Sequence, residues 1–230
     1  MKKLPVIEIF GPTLQGEGSV IGLKTMFLRL AGCDYSCSWC DSKYTWQKGA
    51  MAPITWLEPE AIRSQVEELG GNCRQLSISG GNPALHDLND LITTMQRAPG
   101  YWINVETQGS LAPDWFGRVD SVTVSPKGPS SGMATDWEAL AASIDRSRAP
   151  TLKVVVFDAA DYEYAATVHG RFPEVPLYLQ VGNNVGSDDS TGLLQRLHWL
   201  AERVIGDERL SDVRVLPQMH VLLWGNKRGV

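Results

Sequence analysis

Cys33, Cys37 and Cys40 stand in the spacing Cys-x3-Cys-x2-Cys inside the stretch Gly32-Cys33-Asp34-Tyr35-Ser36-Cys37-Ser38-Trp39-Cys40-Asp41. Three thiols that close together in one short hook suggest one polynuclear metal site. An electron-transfer [4Fe–4S] cube gives each of its irons a thiolate, so three cysteines leave one iron open to a ligand that is not protein. A reactive cluster needs that open position. Tetrahedral zinc is the competing reading, with Cys73 or a histidine as fourth ligand. Structural zinc usually takes its ligands as two short pairs, whereas here one hook carries all three and Cys73 lies in a different segment. Unrelated thiols are a third reading, and Cys73 is expected to pack as a small apolar residue. No apolar signal-peptide core follows Met1-Lys2-Lys3-Leu4-Pro5, so disulfides of an exported protein are disfavoured and a cytoplasmic location is expected.

At 230 residues the chain is long enough to bury one substantial core, and no linker-like stretch divides it. A single domain over 1–230 is expected, with the cluster loop at 31–42 and a capping segment at about 217–230. The net charge of −5 offers no basic footprint for nucleic acid, and no apolar run approaches the roughly 20 residues that span a bilayer.

Short β-branched runs alternate with helical patterns, which is the signature of βα units around a parallel sheet. Strands are expected at 6–10, 25–30, 76–79, 102–106, 121–125, 152–157, 177–181 and 213–216, with one or two of them, the first included, outside the main sheet. The clearest helix begins at Pro59, places Ile62, Val66 and Leu69 on one face and stops at Gly70-Gly71. Further helices are expected at 86–97, 137–146, 161–171 and 193–205. In a barrel of βα units, ligands sit at the carboxyl ends of the strands. The segments found there are unusually polar: Ala31-Gly32 with the cysteines, Ser79-Gly80-Gly81-Asn82-Pro83, Glu106-Thr107-Gln108-Gly109, Ser125-Pro126-Lys127 and Gln180-Val181-Gly182-Asn183. Each alone is ordinary turn chemistry; together they describe one binding mouth.

The three-cysteine motif, with Trp39 before its last cysteine and a Gly-Gly-x-Pro turn after the next strand, resembles the radical S-adenosylmethionine (SAM) superfamily. Leu14-Gln15-Gly16-Glu17-Gly18, Phe27 through Cys33, Cys40-Asp41-Ser42, Glu106 through Gly109, Val124 through Lys127 and the ending from Gln218-Met219-His220 to Val230 resemble, more narrowly, the 7-carboxy-7-deazaguanine synthase family. The likeness covers essentially the whole chain. It implies an α/β fold, a partial (βα)6 TIM-like barrel of the radical SAM type, in a homodimeric lyase. It also implies conversion of 6-carboxy-5,6,7,8-tetrahydropterin to 7-carboxy-7-deazaguanine and ammonia, in queuosine and 7-deazapurine biosynthesis. The implied cofactors are a [4Fe–4S] cluster on Cys33, Cys37 and Cys40, SAM, and Mg²⁺ on Ser42, at a position where we associate threonine with the family. A flavodoxin-like protein is the implied electron donor.

Position by position, the resemblance assigns Leu14, Gln15, Gly16, Glu17, Arg29, Ser79, His220 and Val230 to the pterin. It assigns Gly81, Asn82, Glu106, Gln108, Ser125, Pro126, Lys127 and Gln180 to SAM. Residue chemistry bears on several of these. An aminopyrimidinone edge offers donors and acceptors that an amide and a carboxylate can match, which suits Gln15 and Glu17, although the same segment also reads as a Gly-rich hairpin. Arg29, in an apolar strand, needs either a buried acid or a substrate carboxylate. His220 reads as a substrate ligand or as a residue packed at a strand end. Asn82 departs from the superfamily's usual Gly-Gly-Glu-Pro turn, whose acid receives the SAM amino group. Two rivals from other classes remain at this point: a glycyl-radical activating enzyme acting on a protein partner, and a zinc-stabilised binding module.

Overall fold

The computed structural model describes residues 2–183 and 190–230. Nine strands form one sheet among the described residues: β1 (Leu4–Leu14), β2 (Lys24–Leu30), β3 (Thr55–Leu57), β4 (Gln75–Gly80), β5 (Trp102–Thr107), β6 (Ser121–Val124), β7 (Pro150–Val156), β8 (Leu177–Val181) and β9 (Arg214–Leu216). Their order is β3-β1-β2-β4-β5-β6-β7-β8-β9. From β2 to β9 every pairing is parallel, while β1 runs antiparallel to both β2 and β3. The sheet ends at β3 and β9 without closing, so the barrel is partial.

Six crossovers join the seven parallel strands. Five carry helices: α1 (Pro59–Gly70), α2 (Asn89–Gln96), α3 (Trp137–Arg146), α4 (Ala159–Arg171) and α5 (Ser190–Ile205). The β5-to-β6 crossover is made by the short 3-10 turn Asp114–Arg118 instead, in which Trp115 and Phe116 are buried. A sixth helix, α6 (Met219–Trp224), follows β9.

Local chemistry explains these boundaries. Pro59 opens α1 at the first helical position and Gly71, at φ +55°, closes it. Asp136 and Asp158 accept hydrogen bonds from the first free amides of α3 and α4, offsetting the unmet donors of a helix start. The central strands read as nearly continuous apolar runs because helices and the barrel interior cover both faces; all four residues of β6 are buried.

Several expectations are corrected by the structure. The first strand is not outside the sheet: β1 pairs along β2 from Val6 to Leu14, because a short hairpin loop permits antiparallel pairing directly. Leu69 is half exposed while Gly70 is buried; at Gly70 a Cβ would press on Met26 at 3.0 Å, so the helix's last buried contact is made by backbone. The helix expected at 86–97 starts only at Asn89, since Pro83–Leu85 forms a 3-10 turn and Asp87 takes the Asn89 amide. Cys73 is buried with its sulfur near the Lys24 and Gln75 carbonyls, packed as expected.

Candidate active site

The carboxyl ends of the parallel strands, the β1–β2 loop, the cysteine hook and the C-terminal segment enclose one cavity of about 410 Å³. Its floor is a buried charge cluster. Lys153, on β7, ion-pairs with Glu17 and lies 3.1 Å from Glu106 Oε2. Each carboxylate is also met by an amide: Gln15 Nε2 donates to Glu106 Oε1 at 2.7 Å and Gln218 Nε2 to Glu17 Oε1 at 2.7 Å. Burial alone would raise the Glu17 carboxyl, but Lys153, followed by His220, outweighs it and holds the group at about 2, below its ordinary 4.5. Burial likewise works to lower Lys153, and the two glutamates overcome it, so the ammonium is held above its ordinary range. The cluster is therefore an anionic Glu17 held against a cationic Lys153, with Glu106 on the same ammonium.

The β1–β2 loop is shaped to place these groups. Gln15 N donates to Leu23 O and Gly22 N to Gln15 O, both at 2.8 Å, making the hairpin that the segment's glycines suggest, and Leu14 through Glu17 all line the cavity. Gly16 is required by what lies against it. A Cβ there would fall 2.2 Å from His220 Nδ1, while its carbonyl accepts from Met219 N at 3.0 Å. The start of α6 thus seats on Gly16, and His220 reaches the cavity from a helix rather than a strand end.

Near the mouth, Glu8 gathers three partners. Arg29 Nε and Arg228 Nε each lie 2.9 Å from its carboxylate, and Tyr44 donates its hydroxyl at 2.9 Å. Arg29 is met by an acid of the fold, and it still lines the cavity with Phe10 and Phe27, whose rings stack at 4.8 Å. Arg228 lies over the Tyr44 ring at 3.8 Å, bringing residues 226–230 onto the cavity wall.

The cysteine hook is held from two sides. Asn82 N donates to Gly32 O at 2.7 Å, and a Cβ on Gly81 would lie 2.0 Å from that same oxygen. On the other side Ser38 N donates to Ser131 O at 3.0 Å and Trp39 Nε1 to Ser130 Oγ at 2.9 Å. Nitrogen donors surround the sulfurs: Tyr35 N at 3.5 Å and Gln108 Nε2 at 3.7 Å from Cys33 Sγ, and Trp46 Nε1 at 3.4 Å from Cys40 Sγ. Lys127 adds a half-buried cation that bonds Ser125 Oγ at 2.9 Å and faces the Trp39 ring. Burial depresses its ammonium, and the neighbouring Cys37 works against that. Burial pushes the Cys33 and Cys37 thiols up.

This donor set fits an iron–sulfur cluster. Sulfurs that accept N–H bonds and sit beside a cation suit an anionic cluster, whose potential such contacts tune. A lone zinc ion fits less well. Its bonds to sulfur are about 2.3 Å, which demands sulfurs closely gathered; among the described residues the one set of three metal-ligating side chains whose atoms lie within 4.8 Å of one another is Glu17, Asp41 and His220. Ser42 Oγ donates to Asp41 Oδ1 at 3.0 Å, so this second group is rich in oxygen donors, as Mg²⁺ prefers.

Comparison with known proteins decides the family. The family model of the radical SAM superfamily matches residues 28–131. The 7-carboxy-7-deazaguanine synthases of Bacillus cereus and Bacillus subtilis are each 48% identical to this chain, over 100% of it and 100% and 99% of their own lengths. The chain belongs to the 7-carboxy-7-deazaguanine synthase family. Its fold agrees: the crystal structure of QueE from Escherichia coli superposes with a TM-score of 0.72 at 26% identity, covering 95% of both chains. As a 7-carboxy-7-deazaguanine synthase the protein is a radical SAM enzyme of 7-deazapurine biosynthesis, acting on a small molecule with a [4Fe–4S] cluster, SAM and Mg²⁺.

Of the residues expected at the site, the cavity brings together Leu14, Gln15, Gly16, Glu17, Arg29, Cys33, Cys37, Cys40, Ser42, Ser79, Gly81, Glu106, Gln108, Ser125, Lys127, His220 and Val230. Asn82, Pro126 and Gln180 are not on its wall. Asn82 is buried, with its whole amide engaged by the fold, and Gln180 is fully buried with neither amide atom paired. Sequence reasoning missed Lys153, Tyr44, Trp46, Phe157 and Arg228. The one available signal was Lys153 itself, a charge inside the apolar run of β7.

Proposed function

We propose that the cavity binds 6-carboxy-5,6,7,8-tetrahydropterin and converts it to 7-carboxy-7-deazaguanine and ammonia. The observation that carries this reading is the placement of the three cluster cysteines and the Glu17–Lys153–Glu106 group on the walls of one small cavity. With cluster and SAM bound, the chemistry on offer is reductive cleavage of SAM and hydrogen abstraction from a substrate carbon.

The chain's own residues bind and orient. Glu17, ionised, accepts N–H bonds from the aminopyrimidinone edge, and Gln218 fixes its direction, while Gln15 holds Glu106 beside it. Arg29 keeps an ion pair with Glu8 and presents its guanidinium to the substrate carboxylate. His220 and Val230 close the cavity from the C-terminal side, and the aromatic walls of Phe10, Phe27, Trp39 and Phe157 keep water from a reactive intermediate. Ser42, beside Asp41, would hold Mg²⁺, which would supply a template and a polarising charge for the substrate. Gly81 lets backbone approach SAM closely, Ser79 faces the pterin, and Ser125, Lys127 and Gln108 line the SAM side of the cavity. A flavodoxin-like one-electron donor, a homodimeric assembly and a cytoplasmic setting complete the proposal; among the described residues no helix is long and apolar enough to cross a membrane.

The test is an anaerobic assay of reconstituted enzyme with dithionite, SAM, Mg²⁺ and the pterin, read for 7-carboxy-7-deazaguanine. Consumption of SAM with no 7-carboxy-7-deazaguanine in the presence of this pterin sinks the substrate assignment. A glycyl-radical activating enzyme would need a protein substrate for turnover, and that arm separates the two readings.

A further inference from the structure

Asn82 is spent. Its Oδ1 accepts from Ala84 N at 3.1 Å and from Thr107 Oγ1 at 2.9 Å, and its Nδ2 donates to Asp34 Oδ1 at 2.9 Å and Ser110 Oγ at 3.2 Å. An amide has two donor hydrogens and one acceptor oxygen, so nothing is left on this buried side chain to meet a ligand. What its bonds accomplish is to fix Asp34. Gln108 Nε2 donates to the same Asp34 Oδ1 at 2.5 Å, and Asn82 N is bonded to Gly32 O, so turn and hook are locked in register. Two amides converge on one carboxylate oxygen, and among the described residues no protein donor meets the other. Asp34 is accessible to solvent, and it follows Cys33 directly, between two residues that line the cavity, with Gln108 on the same wall.

SAM, which the proposed function sets beside Gly81 and Gln108, carries at its methionyl end an amino group whose N–H bonds need an acceptor, and an anionic acceptor is worth about twice a neutral one. Of the side-chain carboxylates on the cavity wall, Glu17 and Glu106 face Lys153 and Asp41 bonds Ser42, whereas Asp34, beside that wall, keeps one oxygen that no protein donor meets among the described residues. The geometry points to Asp34 as the residue that receives the amino group of SAM, with Asn82 and Gln108 as the positioning residues that aim it. Asp34 is thus a specificity residue for the amino acid moiety of the cofactor, supplied by the cysteine hook itself rather than by the turn after β4.

The inference rests on SAM binding at this cluster, so the experiment separates the two. Dissociation constants of SAM and of its deaminated analogue are measured by equilibrium dialysis on anaerobically reconstituted wild type, D34N and D34N/N82D, with iron content determined for each. Absence of SAM binding to the wild type would defeat the proposed function and not the assignment within it. Given wild-type binding, D34N is expected to weaken SAM about tenfold or more, the loss of one charged hydrogen bond, while the analogue's constant stays within twofold. D34N/N82D, which moves the carboxylate to the turn and lets the bond between positions 34 and 82 run in reverse, is expected to recover most of the loss. Equal weakening of SAM and analogue, or no weakening of either, overturns the assignment. Should D34N lose iron, the double variant decides alone: wild-type preference for SAM over the analogue supports it, and loss of that preference overturns it.

Discussion

Lys153 Nζ lies 3.1 Å from Glu106 Oε2 and also pairs with Glu17, so one buried ammonium joins the end of β5 to the loop after β1 across the floor of the cavity. Removing one member of a buried ionic group leaves the rest uncompensated, typically at a cost of about 3–5 kcal/mol. K153M is therefore expected to lose roughly that much stability at pH 7, measured by urea unfolding, and to raise the KM for the pterin.

Glu17 is held at about 2, below its ordinary 4.5, so it contributes stability that is fully present above pH 4.5 and is lost as pH falls from there toward 2. A midpoint that declines with acid through this window more steeply in the wild type than in E17Q is the expected result.

Gly81 packs against the cysteine hook with no room for a methyl group, since a Cβ there would lie 2.0 Å from Gly32 O and 2.9 Å from Cys33 Cβ. G81A is expected to displace the hook and to lower iron per chain after reconstitution well below the wild-type level. G170A, at a helical position where a Cβ meets nothing within 4 Å, is the control and should gain up to about 1 kcal/mol. Full iron loading of G81A would refute this role of the glycine in seating the hook.

Ser42 Oγ bonds Asp41 Oδ1 at 3.0 Å. If this hydroxyl is a Mg²⁺ ligand, S42A should raise the Mg²⁺ concentration for half-maximal activity by about 10- to 100-fold, and S42T should not. Equal Mg²⁺ dependence in all three proteins would move the ion to Glu17, Asp41 and His220 without the serine.

Arg228 holds the C-terminal segment to Glu8 and to the Tyr44 ring. R228A should loosen that wall, costing about 1 kcal/mol and raising the pterin KM roughly fivefold, while the dissociation constant of SAM stays at its wild-type value. A parallel loss of SAM affinity would mean that the segment supports the whole cavity.

How much of this could be read from residues alone depended on the range of the interaction. Strands such as β8 and helices such as α3 were legible because burial on a fixed face writes a period into the sequence. The strand β3 was not: Thr55 and Trp56 are exposed, so its pairing with β1 leaves no apolar signature. The helix α6 was hidden by its brevity. Cys33, Cys37 and Cys40 announced a metal centre because their spacing is local. Lys153 stood out only as a charge in an apolar run and Arg228 not at all, since their partners Glu17 and Glu8 lie 136 and 220 positions away in the chain. The consumption of Asn82 by its neighbours could not be inferred either, because three of its four bonds, to Asp34, Thr107 and Ser110, depend on how separate strand ends meet.

The hook that carries the thiols is clasped by protein on both flanks, through Gly32 to one turn and through Ser38 and Trp39 to another. Iron consequently enters a socket whose walls are built by folding, unlike a zinc finger, where metal capture and folding are one event. An apoprotein that melts as a cooperative unit and accepts its inorganic core afterwards is what such a socket provides, and damage to that core by oxygen should leave a scaffold fit to be reloaded.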